Sequence, residues 1–252
     1  MKKFSAPFAV MFFFLHANAQ TNIICSNPDA NQVMKGNYDP QNFLPGQIIN
    51  HPDSILKLIR EQVSSDSLHA TLDKLTTFYT RNSASDTVSS TTGIGAARRW
   101  AFQKFSGISA LNNNRLLTSY LQFDDTSICG VLQHRDIFAV LPGADTSDKS
   151  IVIVEAHIDS RCKDVCDTVC LAEGIEDNGS GTALVLELAR IMSECVYNRT
   201  VVFLITIGEE QGLNGANAFA LYAQQQGIHI HAVINNDIVG GIFCGHTSSS
   251  PP

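Results

Sequence analysis

The side chains able to do chemistry fall at a few points of the chain: His157 and Asp159, Asp177, the adjacent Glu209 and Glu210, and Asp237. An imidazole nitrogen and carboxylate oxygens are the donors zinc takes in sites that activate water, where one coordination position stays open for water or substrate. His157, Asp177, Glu210 and Asp237 would supply one neutral and three anionic donors. Collecting that much like charge in a crevice is costly unless cations offset it, and two divalent ions would do so. The bland alternative is a set of solvated loop carboxylates beside an ordinary histidine.

The elements that must position these groups can be read from periodicity. The apolar run Ile151-Val152-Ile153-Val154 reads as a buried central strand, residues 182–193 as a helix, 201–207 as a second strand, 213–225 as a helix and 232–234 as a third strand. Strand, helix, strand, helix, strand indicates parallel strands joined by covering helices. The carboxyl ends of such strands share one edge, where loops form a ligand crevice. His157 and Asp159 follow the first strand, Glu209 and Glu210 the second and Asp237 the third, while Asp177 stands ahead of the intervening helix. Residues eighty positions apart can therefore meet. Segments 117–123 and 130–141 tend toward a period of two and predict an antiparallel addition at the sheet edge. The expected fold class is α/β, a three-layer sandwich with a mostly parallel central sheet.

Four strings carry a resemblance: AHIDS at 156–160, EDNGSGTALVLELAR at 176–190, ITIGEEQGLNGANAFA at 205–220 and NNDIVG at 235–240. In that order and spacing they resemble metallopeptidase family 28, the co-catalytic zinc aminopeptidases related to bacterial leucyl aminopeptidase, over roughly residues 115–245. The resemblance implies that His157 and Asp237 hold one zinc, that Asp177 bridges two zinc ions, that Glu210 holds the second, and that Glu209 is the general base. It also implies that Asp159 orients His157. A carboxylate on the other ring nitrogen of His157 would fix its tautomer and strengthen its donation to metal. The family's cis peptide would fall at Asp177-Asn178. Gly179 and Gly181 can admit close backbone approach, and Asn178 or Ser180 can cap the helix.

The implied activity is hydrolysis of N-terminal peptide bonds, on a peptide or protein substrate with a free N-terminus. Glutaminyl cyclase-like acyl transfer and noncatalytic peptide binding stand as alternatives, and DNGSG and GEEQG resemble the aminopeptidases more closely. Serine attack is disfavoured, because G-x-S-x-G needs glycine where Asn178 stands. The family's remaining zinc ligand is a histidine well beyond the NND segment, so the resemblance implies a catalytic domain incomplete at its C-terminus. His246 follows Asp237 too closely for that role, and His229 and His231 precede the third strand.

The rest of the chain frames this reading. Lys2 and Lys3, the apolar stretch Phe8 to Leu15 and Ala17-Asn18-Ala19 form the pattern of an export signal over residues 1–19. The apolar run is too short for a membrane anchor, and a secreted location, periplasmic or extracellular, is expected. Residues 20–110 read as an N-terminal prefix, irregular up to about residue 50 and helical afterwards, and residues 111–252 as the partial catalytic domain. Within the prefix, residues 81–92 read as a loop or hinge. Seven cysteines in an oxidising compartment make pairing plausible, with Cys162, Cys166 and Cys170 in a braced loop in preference to a metal knot. A net charge of −7 offers no positive field for nucleic acid.

Overall fold

A computed structural model describes residues 20–241, so the expected export signal at 1–19 and both Cys244 and His246 lie outside the described residues. Six strands form one sheet: β1 (Thr21–Cys25), β2 (Leu117–Ser127), β3 (Gly130–Leu141), β4 (Ile151–His157), β5 (Thr200–Thr206) and β6 (Ile230–Asn235). Six α-helices accompany them: α1 (Pro28–Met34), α2 (Pro52–Gln62), α3 (Ser65–Thr76), α4 (Gly93–Leu111), α5 (Gly181–Met192) and α6 (Asn214–Gln226).

The strand order is β1-β2-β3-β5-β4-β6. β4 pairs in parallel with β5 and β6, which is the trio expected from the apolar runs. The other three pairings, β1 with β2, β2 with β3 and β3 with β5, are antiparallel. The sheet is therefore mixed and mostly antiparallel, which corrects the expectation of a mostly parallel one. The antiparallel share was underestimated for two physical reasons. β2 and β3 form one long hairpin ladder, and its inner strand lies directly against β5 in the body of the sheet. In addition, Thr21–Cys25, within a stretch expected to be irregular, adds a further edge strand.

Every residue of β5 (TVVFLIT) is buried, as its place between β3 and β4 requires. One face of the sheet packs under α3, α4 and α5 through Leu75, Phe105, Val185, Leu186 and Ala189 against Val154, Phe203 and Ile205. The other face packs under α1 and α6 through Val33, Met34, Phe219 and Tyr222 against Phe138, Val202 and Leu204. α1 begins with Asn27 accepting from the Asp29 and Ala30 amides and Pro28 in the first turn, a strong local start for a helix of one and a half to two turns. Among the described residues β6 is an edge strand, with Ile230, Val233 and Ile234 exposed. Among the described residues no helix is long and apolar enough to cross a membrane.

Candidate metal centre

The carboxyl ends of β4, β5 and β6 lie side by side, and the loops leaving them converge. His157 is the last residue of β4, Glu209 and Glu210 lie in the turn after β5, and Asp237 lies two residues past β6. Asp177 sits in a distorted turn, Ile175–Ser180, that leads directly into α5, and the Asp177-Asn178 peptide is cis.

Side-chain and backbone contacts bind this turn to the loop after β6. Asn178 Nδ2 donates to Asn236 O (3.0 Å), Asn178 Oδ1 accepts from Gly181 N–H (2.9 Å), and the Val239 amide donates to Ser180 Oγ (3.1 Å). Gly181 lies so close that a Cβ there would stand 2.0 Å from Asn236 O. A side chain at this position would drive the turn holding Asp177 away from the loop holding Asp237.

His157 is buried, and its Nε2 has no hydrogen-bond partner. That nitrogen faces Asp177 Oδ1 at 3.2 Å, Asp237 Oδ1 at 3.6 Å and Glu209 Oε2 at 3.9 Å. Donor atoms of His157, Asp177 and Asp237 all lie within 4.8 Å of one another, the one group of this kind among the described residues. A buried imidazole nitrogen left without a partner and aimed at several carboxylate oxygens fits a divalent cation. The donor set of one nitrogen and carboxylate oxygens suits zinc.

On its other side, His157 Nδ1 lies 3.2 Å from Asp159 O and 3.5 Å from Asp159 Oδ1. Asp159 is fully buried, and its two carboxylate oxygens accept from the Glu209 amide (3.3 Å) and the Glu210 amide (3.2 Å). One carboxylate thus ties the end of β4 to the turn after β5. Burial by itself would depress His157, but the Asp159 hydrogen bond and the charges of Asp159, Glu209 and Asp237 outweigh it and raise its pKa to about 9. Burial, reinforced by Asp159, Asp237 and Asp177 and opposed by His157, pushes the Glu209 carboxyl up. A raised carboxyl is a better proton acceptor for general-base work.

Glu210 is placed differently. Its side chain is 8% exposed and accepts from Arg161 Nε at 2.6 Å, outside the group of three. Arg161, Lys163, Glu176, Asp177 and Glu210 line an open groove of about 590 Å³ beside the cluster. Its wall is the segment 161–174, stapled by the disulfides Cys162–Cys170 and Cys129–Cys166, the second of which anchors it to the β2–β3 hairpin. Of the six residues singled out in the sequence, the geometry brings His157, Asp177 and Asp237 into one group, with Glu209 beside it and Asp159 behind His157. Glu210 lines the same groove but turns toward Arg161. Sequence reasoning did not find Arg161 as a partner for Glu210, nor Arg81 beneath the site; neither contact has a local sequence signature.

The sequence pattern of Peptidase family M28 matches residues 136–242, which span β3 to the loop carrying Asp237. The chain belongs to peptidase family M28. Among curated relatives, a "probable zinc metalloprotease" of Pyricularia oryzae is 34% identical over 209 residues, covering 81% of this chain and 41% of the relative. The chain spans about half the length, or slightly less, of the curated relatives it matches. Among solved structures, the Legionella pneumophila LapA aminopeptidase superposes with a TM-score of 0.62 at 22% identity, covering 80% of this chain and 50% of that one. A Bacteroides thetaiotaomicron glutaminyl cyclase superposes with a TM-score of 0.55 at 17% identity, covering 71% and 63%. At these identities the two structures show a shared fold alone.

Proposed function

We propose that the protein carrying this chain is a zinc-dependent aminopeptidase that hydrolyses the N-terminal peptide bond of peptides or proteins. The observation that carries this reading is the buried, unpartnered Nε2 of His157 facing carboxylate oxygens of Asp177, Asp237 and Glu209 within 3.9 Å. His157, Asp177 and Asp237 would hold one zinc ion. Glu210, with Asp177, is the candidate for a second ion in a protein of the relatives' length. When bound, zinc acidifies water and polarises a carbonyl oxygen.

The chain's own residues supply the remaining steps. Glu209 takes the proton of the attacking water and returns it to the departing amine, a role suited to its raised carboxyl and partial exposure. Asp159 keeps the His157 ring oriented and fixes the Glu209-Glu210 backbone. The exposed Asp177 carboxylate in the groove would attract a substrate's free α-ammonium group, which supports action at the chain end. The N-terminal pattern at 1–19 supports a secreted location. We further propose that residues 20–110 act as a structural prefix to the catalytic portion that follows.

Zinc content by mass spectrometry, with turnover of peptides bearing N-terminal leucine or glutamine, tests the assignment. Release of free leucine supports the peptidase, whereas ring closure of glutamine without peptide hydrolysis would replace it with acyl transfer. Glu209→Gln should keep zinc and lower turnover by roughly 10²–10⁴-fold, the usual worth of a general base. His157→Ala should lose the metal. Stoichiometric zinc without turnover of any peptide would leave a binding protein.

A further inference from the structure

Beneath the metal cluster runs a short buried segment, Thr80-Arg81-Asn82-Ser83, from the N-terminal part of the chain. Arg81 is fully buried, yet its guanidinium meets backbone carbonyls in place of a carboxylate. Nε donates to Ile158 O (2.7 Å), Nη1 to Leu75 O (3.2 Å) and Glu173 O, and Nη2 to Gly174 O (2.9 Å). Its backbone joins the same structure: Arg81 N–H donates to Ser160 Oγ (3.1 Å), and Ser160 N–H donates to Arg81 O (3.3 Å). Ser160 Oγ in turn donates to Ala172 O (2.7 Å).

One planar fork thus joins the loop that leaves β4 with His157 and Asp159 to the loop that delivers Asp177. The next residues extend the grip. Asn82 Nδ2 donates to Val165 O (2.8 Å) in the stapled loop, and Ser83 Oγ donates to Gln211 in the turn that carries Glu209 and Glu210. Gly174 comes so near, with φ +51°, that a Cβ there would lie 2.5 Å from Ser160 Cβ and 2.9 Å from Arg81 Nη2. Burial pulls the Arg81 pKa down to about 10 while Asp159 and Asp177 hold it up, so the group remains a cation at neutral pH.

Arg115 offers an internal comparison. It is also buried and also donates only to backbone carbonyls, those of Phe43 (2.6 Å), Ser193 and Cys195 (3.0 Å), but it stands at the start of β2, where no candidate ligand lies. Both arginines stitch loops together, and only one stitches loops that hold metal donors.

We propose that Arg81 is a positioning residue of the metal centre, whose fork sets the separation of the His157 and Asp177 loops and thereby the affinity for zinc. The proposal rests on the metallopeptidase reading. Arg81→Lys keeps a cation but lacks the planar fork that reaches Ile158, Glu173 and Gly174 together. In zinc titrations against a chelating dye, Arg81→Lys should bind about 10–100-fold more weakly than the unaltered chain, the usual effect of losing a group that orients metal ligands. Arg115→Lys should lower the thermal midpoint of the metal-free protein and leave zinc affinity unchanged. A lowered midpoint with unchanged zinc affinity in Arg81→Lys would overturn the proposal, as would equal affinity losses in both variants.

Should Arg81→Lys fail to fold by far-ultraviolet circular dichroism, amide exchange on the unaltered chain replaces it. Zinc should slow exchange at Ser160 and around Gly174, and leave the amides around Arg115 unchanged. Equal effects at the two arginines, or none at either, would overturn the proposal. An unaltered chain that binds no zinc removes the metal reading itself, whereas zinc binding indifferent to Arg81 removes only its positioning role.

Discussion

Where β5 begins, Thr200 Oγ1 accepts from the Gly143 amide (3.1 Å) and bonds to Tyr38 (3.1 Å), whose hydroxyl donates to Gly143 O (2.8 Å). Where β4 and β5 end, His157 Nε2 has no hydrogen-bond partner, and the carboxylates of Asp177, Asp237 and Glu209 point toward it. The first arrangement is a closed circuit of neutral groups, each donor matched by an acceptor. The second gathers like charges around an open nitrogen. Both ends belong to the same strands and share a core, so the contrast does not come from general burial. A closed circuit serves stability, whereas an open one is organised for something that binds.

The strongest way to break this contrast is to disturb the open end without touching a donor. Gly181→Ala places a methyl 2.0 Å from Asn236 O and 2.5 Å from Asn178 Oδ1, so the turn carrying Asp177 must move away from Asp237. Zinc affinity, measured by chelator competition, should fall by on the order of 100-fold, because both carboxylates lose their shared geometry. An unchanged affinity would mean that these two loops do not act as one site.

The closed end should respond in the opposite sense. Thr200→Val keeps the shape and leaves the buried Gly143 amide without its acceptor. Denaturant unfolding should show a loss of about 1–3 kcal/mol, the cost of an unmatched buried group, with zinc affinity unaltered. A variant that lost zinc along with stability would blur the distinction between the two ends.

The smallest effect sharpens the comparison at a third place. Asp136 on β3 is fully buried; its Oδ1 accepts from the Ile207 amide (3.0 Å) and its Oδ2 has no partner. Burial pushes its pKa well up, aided by the charges of Glu155 and Asp159. The fold therefore favours the protonated acid: the contribution is full below the ordinary carboxyl range and is lost as pH rises through the elevated value. Asp136→Asn resembles the protonated acid and should flatten this slope. At pH 8 thermal or denaturant unfolding should show a gain of about 1 kcal/mol, because the amide has no proton to lose and each unit of pKa shift is worth about 1.4 kcal/mol, partly offset by the unmatched Nδ2. A loss at pH 8 would mean that the ionised carboxylate is held by partners after all.

The placement of the site was legible because the parallel trio was legible. Continuous apolar runs at β4 and β5 and the 3.6-residue period of α5 put His157, Glu209 and Asp237 at strand ends. β1 and α1 escaped because five residues with pattern TNIIC and seven with PDANQVM are too short for a period to emerge. Their stabilisation is tertiary, through pairing with β2 and through Ala30, Val33 and Met34 in the core. The balance of parallel and antiparallel pairings failed for a related reason: β3 lies against β5, and periodicity does not say which distant strand is a neighbour. Arg81 escaped most completely. Its acceptors are backbone carbonyls, which every residue type offers alike, so nothing in the letters around positions 158 or 174 announces it.

The strand order has a further consequence for how the molecule comes into being. β1, β2 and β3 can zip together as soon as residue 141 has been synthesised, but β4 must wait, since both of its neighbours are encoded after it. The gap between β3 and β4 closes only when β5 arrives, and Asp237 comes later still. The three-donor group is thus complete only after β4 has been paired on both sides, so its geometry reports that β5 and β6 have joined the sheet.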